Sequence, residues 1–194
     1  MKIQIDHIKP FVEERDLQNQ IDRIEGLRSQ VYEKTGVGAD FLGWLDLPGQ
    51  AQDGLGRTLS IAREIRQAGA VLVCIGIGGS YLGAKAVIKA LMPEAPVFFL
   101  GNHLHPDELQ RTLHKLENVE VYVNVISKSG TTTEPGVTFR IVKQWLETRY
   151  GATIAPKHII ATTDITKGAL RKLAIQKGYR TMTNPDDGGG RYSV

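Results

Sequence analysis

The sequence predicts an α/β fold: a five-stranded parallel sheet with helices on both faces, preceded by N-terminal helices. Two observations lead there. Strand-like and helix-like patterns alternate from residue 71 to residue 183, and such alternation calls for parallel strands joined by right-handed crossovers. The first strand-like run, Val71, Leu72, Val73, Cys74 and Ile75, is uncharged and has three β-branched members, which suits a strand buried on both faces.

Taken in order, residues 11–33 place Leu17, Ile21, Ile24, Leu27 and Val31 at helical spacing with charges between them, the pattern of a surface helix packed on the main body. Residues 34–48 keep no period yet hold Phe41, Leu42, Trp44, Leu45 and Leu47. So apolar a loop is expected to lie against the domain or against another part of a larger assembly. Residues 1–50 are therefore expected to form a helix and apolar loop packing on the body, and residues 51–194 the main domain. A helix over 52–68 carries Leu55, Leu59, Ala62 and Ile65 on one face, with Gly69 as its stop.

After the first strand, glycines from Gly76 force a tight turn, and a broadly apolar helix begins at Ser80 (Leu82, Ala84, Ala86, Val87, Ile88, Leu91). A strand over 96–100, a helix over 106–117 with Leu109, Leu113 and Leu116 in phase, and a strand over 119–126 come next. Residues 127–133 form a polar loop, and a helix over 134–150 is expected to turn Val137, Ile141, Trp145 and Leu146 inward. A strand over 158–161, a helix over 166–176 ended near Gly178, and a strand over 179–183 complete the series.

Composition excludes several classes. At 194 residues the chain can bury a real core. No apolar run approaches the ~20 residues that span a bilayer, and the first residues lack the apolar stretch of a secretory signal. A cytoplasmic location is expected. Cys74 is the single cysteine and sits inside a strand, where it reads as a core filler rather than a nucleophile. The net charge of +3 is spread thinly with no basic stripe, which argues against a nucleic-acid partner. His7, His103, His105, His114 and His158 show no metal-ligand spacing and read as surface or loop residues.

Two turns carry the chemistry. Gly78, Gly79 and Ser80 sit where a strand hands over to a helix N-terminus, where free N–H groups and the positive end of the helix dipole favour an anion. A dinucleotide fingerprint is set aside, because Tyr81 replaces its third glycine and Leu100, Gly101 and Asn102 supply no acid. The Gly-Lys-Ser/Thr of a P-loop is absent as well. The second turn, residues 127–133, reads SKSGTTT and gathers five hydroxyls and Lys128. Thr131 and Glu134 have capping-box spacing, but one cap needs one hydroxyl. Two such turns at neighbouring strand ends would converge on one spot. The terminal Asp186 to Val194 run, with three glycines ahead of Arg191, reads by itself as a flexible tail or as a way to aim a guanidinium at an oxyanion.

In this order and spacing, IGIGGSYLGAKA, ISKSGTTTEP, ATTD, and PDD followed by GGRYSV resemble the bacterial type of glucose-6-phosphate isomerase, from about residue 32 to the end. The resemblance implies a sugar isomerase (SIS) domain, flavodoxin-like in its three layers, over residues 51–194. It implies that Gly79 and Ser80 contact the sugar phosphate, and that Ser127, Lys128 through its backbone N–H, Ser129 and Thr132 cradle the 6-phosphate. By the same resemblance Arg191 steadies a cis-enediolate as a proton moves between C2 and C1, in glycolysis and gluconeogenesis, with no metal or organic cofactor. A glutamate base, a ring-opening histidine and a lysine lie in family regions beyond Val194, so these residues are expected to be an N-terminal fragment holding the phosphate half of the site, inactive alone. The intact protein is expected to be a homodimer, with neither nucleic acid nor membrane as partner. Gly188 departs from the pattern, where an apolar residue is expected. The competing reading is a non-catalytic phosphosugar-binding SIS module, which would need the phosphate cradle but no arginine.

Overall fold

The computed structural model describes residues 4 and 6–188. Its five strands are β1 (Val71–Ile75), β2 (Val97–Leu100), β3 (Val121–Ile126), β4 (Ile159–Thr163) and β5 (Arg180–Thr183). All pairings are parallel, in the order β2-β1-β3-β4-β5. The helices are α1 (Glu14–Tyr32), α2 (Leu47–Gln67), α3 (Leu82–Leu91), α4 (Pro106–Lys115), α5 (Thr133–Tyr150) and α6 (Ala169–Lys177). Strand order reverses between β1 and β3, and ligands on sheets of this kind sit at that reversal, beyond the carboxyl ends of the strands.

Because side chains alternate across a strand, the sheet has two interiors. On one face Val73, Ile75, Val121, Val123 and Val125 meet Leu116, Phe139, Val142, Leu146, Leu170 and Ala174, so α5 and α6 close over it together with the end of α4. On the other face Tyr122 and Ile160 pack with Ile65 of α2. Between α2 and α3 that second face opens into an apolar groove of about 710 Å³ floored by Leu72, Ile160 and Met182. Cys74 is buried within β1, and burial pushes its thiol up to about 12, as befits a core filler.

The structure departs from the sequence reading at several points, among them the start of α2 at Leu47 rather than 52 and of α6 at Ala169 rather than 166. Helix α1 forms, but none of its residues is buried, and Ile21, Ile24, Leu27 and Val31 remain exposed. The inward face of α5 is Pro135, Thr138, Phe139, Val142 and Leu146; Trp145 is half-buried, while Val137 and Ile141 are 41% and 43% exposed. The glycine turn closes as a short 3-10 segment, Gly78–Ser80, and α3 starts at Leu82. His158 is buried rather than superficial: its Nδ1 lies 3.0 Å from the Val121 carbonyl, and its ring stacks on Tyr150 at 4.3 Å. The turn ahead of β4, Ala155–His158, carries it under the sheet at the end remote from the strands' carboxyl termini.

Truncating the buried side of α5 leaves a cavity, whereas trimming its exposed side removes little packing. Leu146→Ala is expected to cost about 2–5 kcal/mol, and Val137→Ala less than about 1 kcal/mol, as read by urea denaturation.

Candidate functional site

At the carboxyl ends of β1 and β3 the chain builds a cleft of about 350 Å³ lined by Ile77, Gly79, Ser80, Ile126, Ser127, Lys128, Ser129, Thr132 and Pro135. Six of these, Gly79, Ser80, Ser127, Lys128, Ser129 and Thr132, are the residues singled out from the two turns. Ser80 and Thr132, 52 positions apart in sequence, border the same space. Arg191 lies outside the described residues.

The hydrogen bonds of the loop after β3 explain its polarity. Ser127 N–H donates to the Thr162 carbonyl at 3.0 Å, carrying the β3–β4 ladder one step beyond the strand. The Lys128 carbonyl accepts from the Thr163 hydroxyl at 3.2 Å, and the Ser129 carbonyl from Ala169 N–H at 2.9 Å. In a trans peptide the N–H points opposite to the C=O. The Ser129 N–H therefore points away from β4, and it has no acceptor among the described residues.

The side chains follow the same rule. Ser127 Oγ accepts from Gly130 N–H at 3.0 Å, and Ser129 Oγ accepts from Thr131 N–H at 3.2 Å and from the Thr131 hydroxyl at 2.9 Å. With their oxygens accepting, both serines keep a hydroxyl proton to donate. Thr132 is the N-cap of α5, yet its side chain makes no capping bond, so the capping-box reading of Thr131 and Glu134 is not realised. The first N–H groups of α5 are left without a side-chain cap at the edge of the cleft.

Two residues not given a role from sequence hold this loop in shape. Gly130 has φ +72°, and a Cβ there would lie 2.2 Å from Leu170 N, so only glycine lets the loop close on α6. Asp164, the acid of ATTD, is 2% exposed and accepts N–H from Thr166 at 2.8 Å and Lys167 at 2.9 Å. The adjoining Asp186 side chain when it carries the proton, then the Lys167 and Thr166 N–H groups, hold its carboxyl well below the usual carboxylate range. The sequence cue was an aspartate at a strand end with a threonine two positions on, the pattern of an Asx turn.

The Lys128 ammonium is committed elsewhere. It donates to the Asp186 carbonyl and, at 3.1 Å, to the Gly188 carbonyl. What the loop offers a ligand is thus a set of neutral donors, suited to oxygens that accept several bonds each. Gly188 is buried in an antiparallel bridge with Leu42. Among the described residues a Cβ on it would meet only the Pro185 carbonyl, at 3.7 Å, which leaves room for the apolar residue expected there.

The family model for phosphoglucose isomerase matches residues 62–194, which takes in both turns. The chain belongs to the phosphoglucose isomerase family. It is 46% identical over 202 residues to glucose-6-phosphate isomerase of Staphylococcus saprophyticus subsp. saprophyticus, covering 99% of this chain and 46% of that protein. The enzyme of the same name from Acetivibrio thermocellus is 45% identical over 208 residues, covering 100% of this chain and 46% of the other. Among solved structures, the crystal structure of hypothetical protein TT0462 from Thermus thermophilus aligns with a TM-score of 0.76 at 33% identity, over 92% of this chain and 42% of that one. The chain thus spans about half the length of the phosphoglucose isomerase relatives it matches.

Two outcomes test how the loop is held. Gly130→Ala is expected to lower stability by about 1–3 kcal/mol in thermal melts and to weaken anion binding at the cleft. Since the folded carboxyl of Asp164 titrates below its unfolded counterpart, its contribution is present above the ordinary aspartate range near ~4 and is lost as pH falls below that. Melts of Asp164→Asn at descending pH should therefore start lower at neutrality and decline less steeply in acid than those of the unmodified chain.

Proposed function

We propose that this chain carries the phosphate-binding half of a glucose-6-phosphate isomerase site, interconverting glucose 6-phosphate and fructose 6-phosphate in glycolysis and gluconeogenesis. The observation that carries the reading is the convergence of Gly79, Ser80, Ser127, Lys128, Ser129 and Thr132, from two separate turns, on one cleft at the strand-order reversal. Family membership and the two named isomerase relatives support it.

In this reading the 6-phosphate rests against the hydroxyls of Ser80, Ser127, Ser129 and Thr132 and the Ser129 N–H, with the N-terminal end of α5 behind it. Such anchoring holds the remote end of an open-chain sugar while C1 and C2 react, and it converts binding free energy into orientation. Aldose–ketose interconversion needs a base to move a proton between C2 and C1 and a donor to steady the enediolate oxygen. Arg191 is assigned the second task. The described residues that line the cleft include no carboxylate and no histidine, so the base belongs to a part of the family's chain outside this lining. The intact protein is read as a cytoplasmic homodimer; among the described residues no helix is long and apolar enough to cross a membrane.

Calorimetry on this chain with fructose 6-phosphate is expected to show weak binding that inorganic phosphate competes away. The pair Ser127→Ala and Thr132→Val should weaken it at least tenfold, about 1.4 kcal/mol. Absence of heat and of competition would reject the assignment. These residues alone are also expected to show no solvent-deuterium incorporation at C2 of glucose 6-phosphate by NMR; incorporation above background would place the base within them. Binding that survives with no exchange even after the remaining segment of a relative is supplied would favour the non-catalytic module.

A further inference from the structure

Thr131 belongs to the phosphate loop but not to the lining of the cleft; it borders a separate cavity of about 470 Å³ between α5 and α6. Its polar groups nonetheless turn back to a cleft residue. The Thr131 N–H donates to Ser129 Oγ at 3.2 Å, and the Thr131 hydroxyl at 2.9 Å. A hydroxyl oxygen has two lone pairs, so Thr131 by itself fills the accepting capacity of Ser129.

An anion in the cleft gives this arrangement its direction. Ser129 then gives its one proton to the anion while Thr131 gives its own to Ser129, so the two O–H bonds point the same way and strengthen each other. Other acceptors along the cleft are largely engaged. The Ile77 carbonyl takes the Ser80 N–H at 3.2 Å, the Lys128 and Ser129 carbonyls take the Thr163 hydroxyl and the Ala169 N–H, and Ser127 Oγ takes the Gly130 N–H. No carboxylate or histidine is among the described residues of the lining. A dianionic phosphoryl group brings only acceptors and meets donors. Its singly protonated form brings one O–H in need of an acceptor, and Ser129 has none to offer.

Resting on the phosphate-cleft reading above, we propose that Thr131 is a positioning residue: by donating twice to Ser129 Oγ it makes the Ser129 hydroxyl a donor only, and so biases the cleft toward a fully ionised phosphoryl group over its singly protonated form. Thr131 acts through Ser129 and does not touch the anion. The hydroxyls of Ser80 and Thr132 can still accept as well as donate, so Thr131 sets the part of the bias that Ser129 carries.

The test is calorimetry on the chain with two probes, fructose 6-phosphate and inorganic sulfate. A phosphomonoester whose second ionisation lies near ~6 is about nine-tenths monoanion at about pH 5. The unmodified chain is therefore expected to lose about tenfold in fructose 6-phosphate affinity between about pH 7.5 and about pH 5. Sulfate, ionised throughout, should hold within about twofold. It reports any titration of the charged groups around the loop: Lys128, Asp164, Lys167 and Asp186, and Glu134 in the first turn of α5. Thr131→Val keeps the N–H and removes the hydroxyl; it is expected to weaken fructose 6-phosphate about three- to tenfold at the higher pH and to shrink the loss on acidification below about threefold. Thr131→Ser should restore both, and Thr131→Ala should match the valine variant and guards against that variant misfolding. An unmodified chain that binds fructose 6-phosphate equally at both pH values would overturn the bias. Affinity and pH slope unaltered in the valine and alanine variants would overturn the role of Thr131. So would a serine variant as weak as the valine one, since packing and not the hydroxyl would then be at work. Failure of the unmodified chain to bind either anion would overturn the cleft reading itself, a result distinct from binding whose pH slope Thr131 does not alter.

Discussion

A loop can offer N–H and hydroxyl donors to a ligand only if something else takes its carbonyls, and at the end of β3 that something is the neighbouring crossover. The Thr163 hydroxyl donates to the Lys128 carbonyl, and the first N–H of α6 to that of Ser129. The loop is turned so that its acceptors face protein and its donors face the cleft. Buried backbone groups are almost always paired, so this division of partners fixes the loop as firmly as any apolar contact would. The remaining features at the site depend on it: the free proton of each serine, the uncapped start of α5, and the glycine that lets Leu170 approach.

The opposite end of the sheet is built differently. There the Tyr122, Tyr150 and His158 rings pack together, Tyr122 donates to Glu64, and Arg180 pairs with the same glutamate at 2.8 Å. These contacts join α2 to β3, to β5 and, through His158, to the turn ahead of β4. Ring and ion-pair contacts gather at one end of the strands and unengaged donors at the other, the division expected where ligands bind past the carboxyl ends of parallel strands.

Much of this was legible in the sequence because strands buried on both faces announce themselves. Val71 to Ile75 has no other reading, and once five strands alternate with helices the ligand edge is fixed. The two turns were found because hydroxyls in excess of what a cap needs require another purpose. The phase of α5 was not legible: Val137, Ile141 and Trp145 repeat every four residues, as do Pro135, Phe139 and, after a step of three, Val142 and Leu146. Only the sheet beneath chooses between the two stripes. His158 carries no local sign that a 3-10 turn will place it between two tyrosines. The reach of Lys128 to residues 186 and 188 is likewise a property of the fold, since no pattern within a window of sequence connects them. The exposed stripe of α1 shows the reverse case, a clean helical period that says nothing about what lies against it.

Gly130 and Leu170 meet so closely that neither the loop nor the following crossover can be exchanged alone. A chimaera between relatives that is joined anywhere from residue 130 to residue 170 pairs one parent's loop with the other's helix start. Joints placed ahead of β3 or within the later turns of α6 keep both halves of that contact from one parent. The heritable unit of the cleft is therefore the whole strand–loop–helix–strand–helix passage, larger than the few letters that mark it.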